Sequence, residues 1–266
     1  MRSGCANGRQ FFWRPPLFGA SCVCCGCCSG VEENRKRVMD STRRLISPLL
    51  CFDQGGRVQA LFVHGMGRSI LSGWRMRISL KAQGITPHAF GYLTPFEDFA
   101  SIRTRLVRRI NTLAVEDDYV LIGHSLGGVL LRAAVASLPA ATRQPRQMFL
   151  LGSPIQPARL AQKLQRNGLY RVLAGDCGQL LASPARMAQI GPAPIPAISI
   201  VGMAGWKGRL NPFQGEINDG IVSVAEASAA WIAEEIRLPV IHTCLPSDKR
   251  VTQIILARIA SHSGSP

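Results

Sequence analysis

Three residues in one chain order are able to carry nucleophilic chemistry without a metal: a serine between glycines, a later aspartate and a histidine beyond it. The segment Asp118-Tyr119-Val120-Leu121-Ile122-Gly123-His124-Ser125-Leu126-Gly127-Gly128 reads as an apolar strand, a sharp turn and the start of a helix. Such a turn lifts a serine Oγ clear of the sheet edge and requires neighbours without bulky side chains. Gly123 and Gly127 meet that requirement. A helix starting near Leu126 points backbone N–H groups at the reacting atom and stabilises a developing oxyanion. Ser125 is therefore the candidate nucleophile.

A Gly-x-Ser-x-Gly match alone is weak in a chain with 26 glycines, so its context decides. Upstream, a second apolar strand from Arg57 ends in His64-Gly65-Met66-Gly67. A glycine loop at a strand's carboxyl end supplies a second oxyanion donor, here the N–H of Met66 beside that of Leu126. His64 is expected to orient this loop on the substrate side rather than to carry a proton. Downstream, a strand ending at Gly202 is followed by Glu216-Ile217-Asn218-Asp219-Gly220. A serine hydroxyl needs a base, and the base needs a carboxylate to fix its tautomer. Asp219 stands where that acid comes in chain order, with Glu216 as the nearest substitute and Asp176 in a segment without a preceding strand. Of the five histidines, His64 and His124 flank glycine turns, His88 precedes the serine in an early strand and His262 lies in a Ser/Gly-rich tail. His242 is left as the base.

The order Ser125, Asp219, His242, with the His64-Gly65-Met66-Gly67 loop before the serine, resembles the α/β-hydrolase superfamily over roughly residues 57 to 260. The Gly-His-Ser-Leu-Gly-Gly elbow and the Asn218-Asp219-Gly220 segment look most like bacterial lipase/esterases and GPI inositol-deacylase-like serine hydrolases. The resemblance implies an acyl-enzyme esterase with catalytic Ser125, Asp219 and His242, oxyanion donors Met66 and Leu126, and no cofactor. Secreted lipases of this type carry an acidic residue just after the histidine that helps bind structural calcium. This chain reads His242-Thr243-Cys244-Leu245 there, so no metal site is expected. Two other readings share these residues: an acyltransferase using the same triad, and a catalytically silent lipid-binding or interaction protein.

The elements that must position these residues alternate strand and helix. Strands are expected at 57–64, 86–91, 118–124, 147–152, 196–202 and 236–242, and helices at 69–83, 97–114, 126–138, 156–167, 224–234 and 248–260. That alternation predicts an α/β fold with a mostly parallel sheet of about six strands covered on both faces. A hydrophobic fraction of 47% against 18% charged residues agrees with one sizeable core. Residues 155–195 exceed an ordinary connection and are read either as a lid or substrate wall, or as helices packed on the sheet. The loop carrying Trp206, Leu210 and Phe213 leads into Asp219, so Trp206 and Phe213 are read either as acyl-chain contacts or as cover for the core.

Residues 1–40 stand apart from the domain expected over 41–262. Cys5, Cys22, Cys24, Cys25, Cys27 and Cys28 cluster there without a zinc-module spacing or a long apolar run, and the segment reads as a disordered extension, with Met39 as an alternative start. The scattered Cys51, Cys177 and Cys244 suit reduced thiols and a cytoplasmic location. A net charge of +15 invites a nucleic-acid reading, yet arginines are spread along the chain and aromatic content is 6%, so nucleic acid is excluded as a partner. The expected partner is a small-molecule ester or lipid; Arg105, Arg108 and Arg109 share one helical face, read either as a solvated face or as a contact to an anionic membrane surface or acidic substrate.

Overall fold

The computed structural model describes residues 57–208 and 211–261. The expectations for residues 1–40, for Met39 and for Cys51, Leu210 and His262 lie outside the described residues. Six strands, β1 (Val58–Val63), β2 (Thr86–Phe90), β3 (Asp118–His124), β4 (Gln147–Leu151), β5 (Ala197–Gly202) and β6 (Glu234–Leu238), form one sheet in the order β2-β1-β3-β4-β5-β6. Every neighbouring pair is parallel, with β1 and β3 in register from Val58 opposite Asp118 to Val63 opposite Gly123.

Central strands of such a sheet are apolar on both faces because helices cover both. In β1, Leu61 and Val63 join one apolar cluster with Ile102, Leu106 and Ile110 of α2 (Phe99–Glu116) and Leu130 of α3 (Leu126–Val135). Ala60 and Phe62 join the opposite cluster with Met76 and Leu80 of α1 (Trp74–Ala82) and Val251, Ile255 and Ile259 of α7 (Lys249–Ser261). The alternation along the strand thus sorts the helices into two layers. Asp98 caps α2 by accepting from Ser101 N at 2.7 Å, and buried Ile102, Leu106, Ile110 and Leu113 repeat at helical spacing below it.

Because all strands run the same way, the segments following their carboxyl ends gather at one edge, where ligands of such sheets bind. The insertion after β4 also belongs there. It folds as α4 (Arg159–Leu164), α5 (Gly168–Ala182) and α6 (Pro184–Ile190). Gly175 interrupts α5 with φ 54°, and a Cβ there would lie 2.1 Å from the Thr94 carbonyl oxygen. The Thr94 hydroxyl in turn donates to the Leu173 carbonyl at 2.9 Å, docking the insertion on the loop after β2.

Two expected elements differ. The strand expected over 236–242 ends at Leu238, because Pro239 has no N–H for the ladder; His242 instead opens a 3-10 turn over His242–Ser247. The helix expected over 224–234 is reduced to a 3-10 turn over Ala225–Ala227. There the Ser228 hydroxyl donates back to the Val224 carbonyl at 2.7 Å and the Ala227 carbonyl accepts from Ser199, so local side chains take the groups a helix would use. On the arginine face of α2, Arg105 bonds Glu97 and the Gly91 carbonyl and Arg109 donates to His88 Nδ1 at 2.9 Å, while Arg108 is exposed.

Candidate active site

Ser125 stands between β3 and α3 with φ 53° and ψ −123°, a backbone region that non-glycine residues rarely occupy and that costs on the order of 1–3 kcal/mol. The surroundings enforce it. A Cβ on Gly123 would lie 2.4 Å from Gly128 Cα, and one on Gly127 would lie 2.2 Å from the Val63 carbonyl oxygen, so strand and helix approach too closely for a side chain at either place. Ser125 N donates to the Leu151 carbonyl at 2.9 Å, and the Ser153 hydroxyl donates to the Ser125 carbonyl at 2.8 Å. Ser153 follows β4 directly; only its place just beyond a strand's carboxyl end marks it in the sequence.

Asp219 and His242 meet from two different loops. His242 Nδ1 lies 2.7 Å from Asp219 Oδ2, and both side chains are buried. Asp219 Oδ1 accepts from the N–H groups of Val222 at 2.8 Å and Ile221 at 3.0 Å, while His242 N donates to the Asp219 carbonyl at 2.9 Å. The carboxylate is thereby fixed on every side and can only take the Nδ1–H, which leaves Nε2 of His242 to handle a proton. Asp176 is elsewhere, on α5, where Arg186 and the Phe99 N–H hold its carboxyl below the usual range. Glu216 pairs with Arg159 at the surface.

The loop after β1 passes over Ser125, since a Cβ on Gly65 would lie 3.0 Å from Ser125 Cβ. Leu126 is the first residue of α3, so its N–H has no partner one turn back. His64 is buried and stacked on Tyr92 with ring centroids 4.3 Å apart. Its Nδ1 donates to the Gly65 carbonyl at 2.8 Å, and the Tyr92 hydroxyl donates to the His64 carbonyl at 2.7 Å. Burial lowers the His64 pKa, which keeps the ring neutral in this clamp. His124 precedes Ser125 and is buried. Burial and the neighbouring His242 push its pKa well down, and its Nε2 donates to the His242 carbonyl at 3.1 Å.

Ser125 and His242 line one cavity of about 300 Å³ together with Gly65, Met66 and Arg68. Its far walls are apolar and come largely from the insertion: Leu160, Ala161, Leu164, Tyr170 and Leu181. A shallower cleft of about 330 Å³ on the other side of His242 is bordered by Trp206, Asp219, Ile221 and Ile241.

A family model described as the alpha/beta hydrolase family matches residues 60–252. The chain belongs to that family. Comparison with curated proteins by sequence gives no match. Among solved structures, the chain is similar to the RedJ thioesterase of the prodiginine pathway of Streptomyces coelicolor, with a TM-score of 0.50, 12% identity and coverage of 85% of this chain and 94% of that one. It is also similar to a variant of tomato Methylketone Synthase I complexed with beta-ketoheptanoate, at TM-score 0.53, 12% identity, 82% of this chain and 100% of that one. Phospholipase PlaB from Legionella pneumophila matches at TM-score 0.53 and 15% identity over 64% of this chain and 45% of that one. At these identities the likeness is one of fold.

Within this α/β-hydrolase the structure brings together Ser125, His242, Asp219, Met66 and Leu126, but separates the three residues expected to touch substrate. His64 is buried at the start of the loop after β1 and does not line the Ser125 cavity. Trp206 is 58% exposed, with its indole N–H donating to the Gly220 carbonyl, and borders only the outer cleft. Phe213 is corrected outright: it is fully buried, lines neither space, and has the Arg159 guanidinium 5.6 Å above its ring. Asn211 explains the inward turn, since its side chain accepts from Phe213 N at 2.8 Å and turns the loop back on itself. Phe213→Ala is therefore expected to lower stability by about 3–5 kcal/mol in denaturant unfolding, and to leave the acyl-length preference of the folded fraction unchanged.

Proposed function

We propose that this protein is a serine hydrolase that cleaves carboxylic esters through an acyl-enzyme. One observation carries the reading: Ser125 and His242 face a common apolar cavity, while Asp219 holds the opposite nitrogen of the His242 ring. Ser125 Oγ attacks the ester carbonyl as His242 Nε2 removes its proton, and Asp219 stabilises the imidazolium. The carbonyl oxygen, now negative, is met by the N–H groups of Leu126 and Met66. His242 then protonates the departing alcohol, and a water activated by the same nitrogen releases the acid and restores Ser125. The acyl group occupies the wall of Leu160, Leu164 and Leu181, and a cavity of about 300 Å³ is at the small end of ligand pockets. Short-to-medium acyl chains suit it.

The test is a series of p-nitrophenyl esters of increasing acyl length. Each buried methylene contributes about 0.8 kcal/mol, so kcat/KM should rise several-fold per methylene until the cavity is full. Leu164→Trp, which takes volume from the far wall, should move that optimum to shorter chains. Absence of turnover with every ester, together with no fluorophosphonate adduct on folded protein, would overturn the reading.

A further inference from the structure

The large exposed apolar side chains of the described residues are not scattered. All except Ile78 and Val115 lie on segments that follow strand carboxyl ends or on the insertion, which is the edge that carries Ser125. Leu71 and Trp74 follow the oxyanion loop, Phe96 follows β2, and Leu169 and Val172 lie on the first turns of α5. Phe96 is 83% exposed. These segments are joined to one another: Ile70 would meet a Cβ on Gly91 at 3.2 Å, and Thr94 bonds Leu173. Tyr170, between Leu169 and Val172, lines the Ser125 cavity itself. The apolar collar thus reaches the cavity through Tyr170, and exposed apolar side chains gathered on one edge mark an interaction surface.

Unpaired cations stand on the same edge. Arg68, Arg166, Arg171 and Lys207 are exposed and have no acidic partner among the described residues. Four carboxylates of this edge are held by arginines, Glu97 by Arg105, Asp176 by Arg186, Glu216 by Arg159 and Asp248 by Arg250, and Asp98 is engaged as a helix cap by the Ser101 N–H. No helix among the described residues is long and apolar enough to cross a membrane. We propose that the collar around the cavity mouth seats this protein on an anionic lipid–water interface, with Leu71, Trp74, Phe96, Leu169 and Val172 entering the acyl boundary and the unpaired cations meeting headgroup phosphates. Apolar side chains rimmed by arginine and lysine are the physical signature of a surface lying in such an interface. Docked this way, the cavity opens toward the lipid and Arg68 stands at its mouth. Arg105 and Arg109 of α2, bonded within the fold, take no part.

Vesicle partitioning tests this independently of turnover. Full-length protein carrying Ser125→Ala, so that no lipid is consumed, is sedimented with phosphatidylcholine vesicles with and without phosphatidylglycerol. Binding is expected to the anionic vesicles, weakening with added salt. Adding Leu71→Ser and Phe96→Ser should lower partitioning at least about tenfold at every salt concentration, since two large apolar side chains no longer leave water. Leu169→Ser with Val172→Ser should act in the same direction. Val115→Ser, equally exposed on the opposite edge, should change nothing. Retained binding in both collar variants, an equal loss in Val115→Ser, or a wild-type dimer in sedimentation velocity that the collar substitutions dissociate would each overturn the proposal. In the last case the collar would be covered by a second copy.

Discussion

Replacing Ser125 with alanine is expected to lower ester turnover by at least about a thousandfold while leaving the protein folded. The size follows from what remains: the oxyanion donors and the cavity still bind the substrate, but no atom is left to attack it. A fluorophosphonate should add one adduct to the wild type and none to Ser125→Ala, read by intact mass. The backbone supplies a second readout. Ser125 holds φ 53°, so Ser125→Gly should be as inactive as the alanine variant yet melt at or above the wild-type temperature, because glycine occupies that region without strain. Equal labelling of wild type and Ser125→Ala would move the nucleophile elsewhere.

The elbow was legible because its geometry is written into residue size. Gly123 and Gly127 are required where strand and helix nearly touch, and the apolar run before them has the length and composition of a buried strand. The position of His242 was legible only by elimination among few histidines, and the element bearing it differs from the expected strand, since an apolar run through Pro239 looks like strand although the ladder stops at Leu238. The insertion shows a different limit. Its leucines read alike in sequence, but Leu160, Leu164 and Leu181 wall the cavity, Leu180 and Met187 enter the core, and Leu169 and Leu173 face solvent. Helical periodicity assigns a face, not what packs against it, and three short helices with a break at Gly175 give no long period to read. Phe213 failed for a related reason: proximity in sequence to Asp219 says nothing of which way an asparagine-capped turn sends its ring.

Asp219→Asn is expected to cut turnover by about three to four orders of magnitude with little change in melting temperature. The argument starts from the two oxygens. Oδ1 is committed to the N–H groups of Ile221 and Val222, so an asparagine must keep its carbonyl oxygen there and present its NH2 group where Oδ2 now accepts from His242 Nδ1. Two donors then face each other unless the ring gives up the Nδ1 proton and carries it on Nε2, the nitrogen proposed to take the serine proton. The fold tolerates the change because the backbone bonds from His242 N and Asp219 N do not involve the side chain. Asp176→Asn provides the contrast. It weakens the pair with Arg186 and the bond from Phe99 N, both remote from the reacting atoms, so it should cost some stability and little turnover. A damaging Asp176→Asn beside a mild Asp219→Asn, compared by kcat on the same ester, would show that the carboxylate orienting His242 has been misassigned.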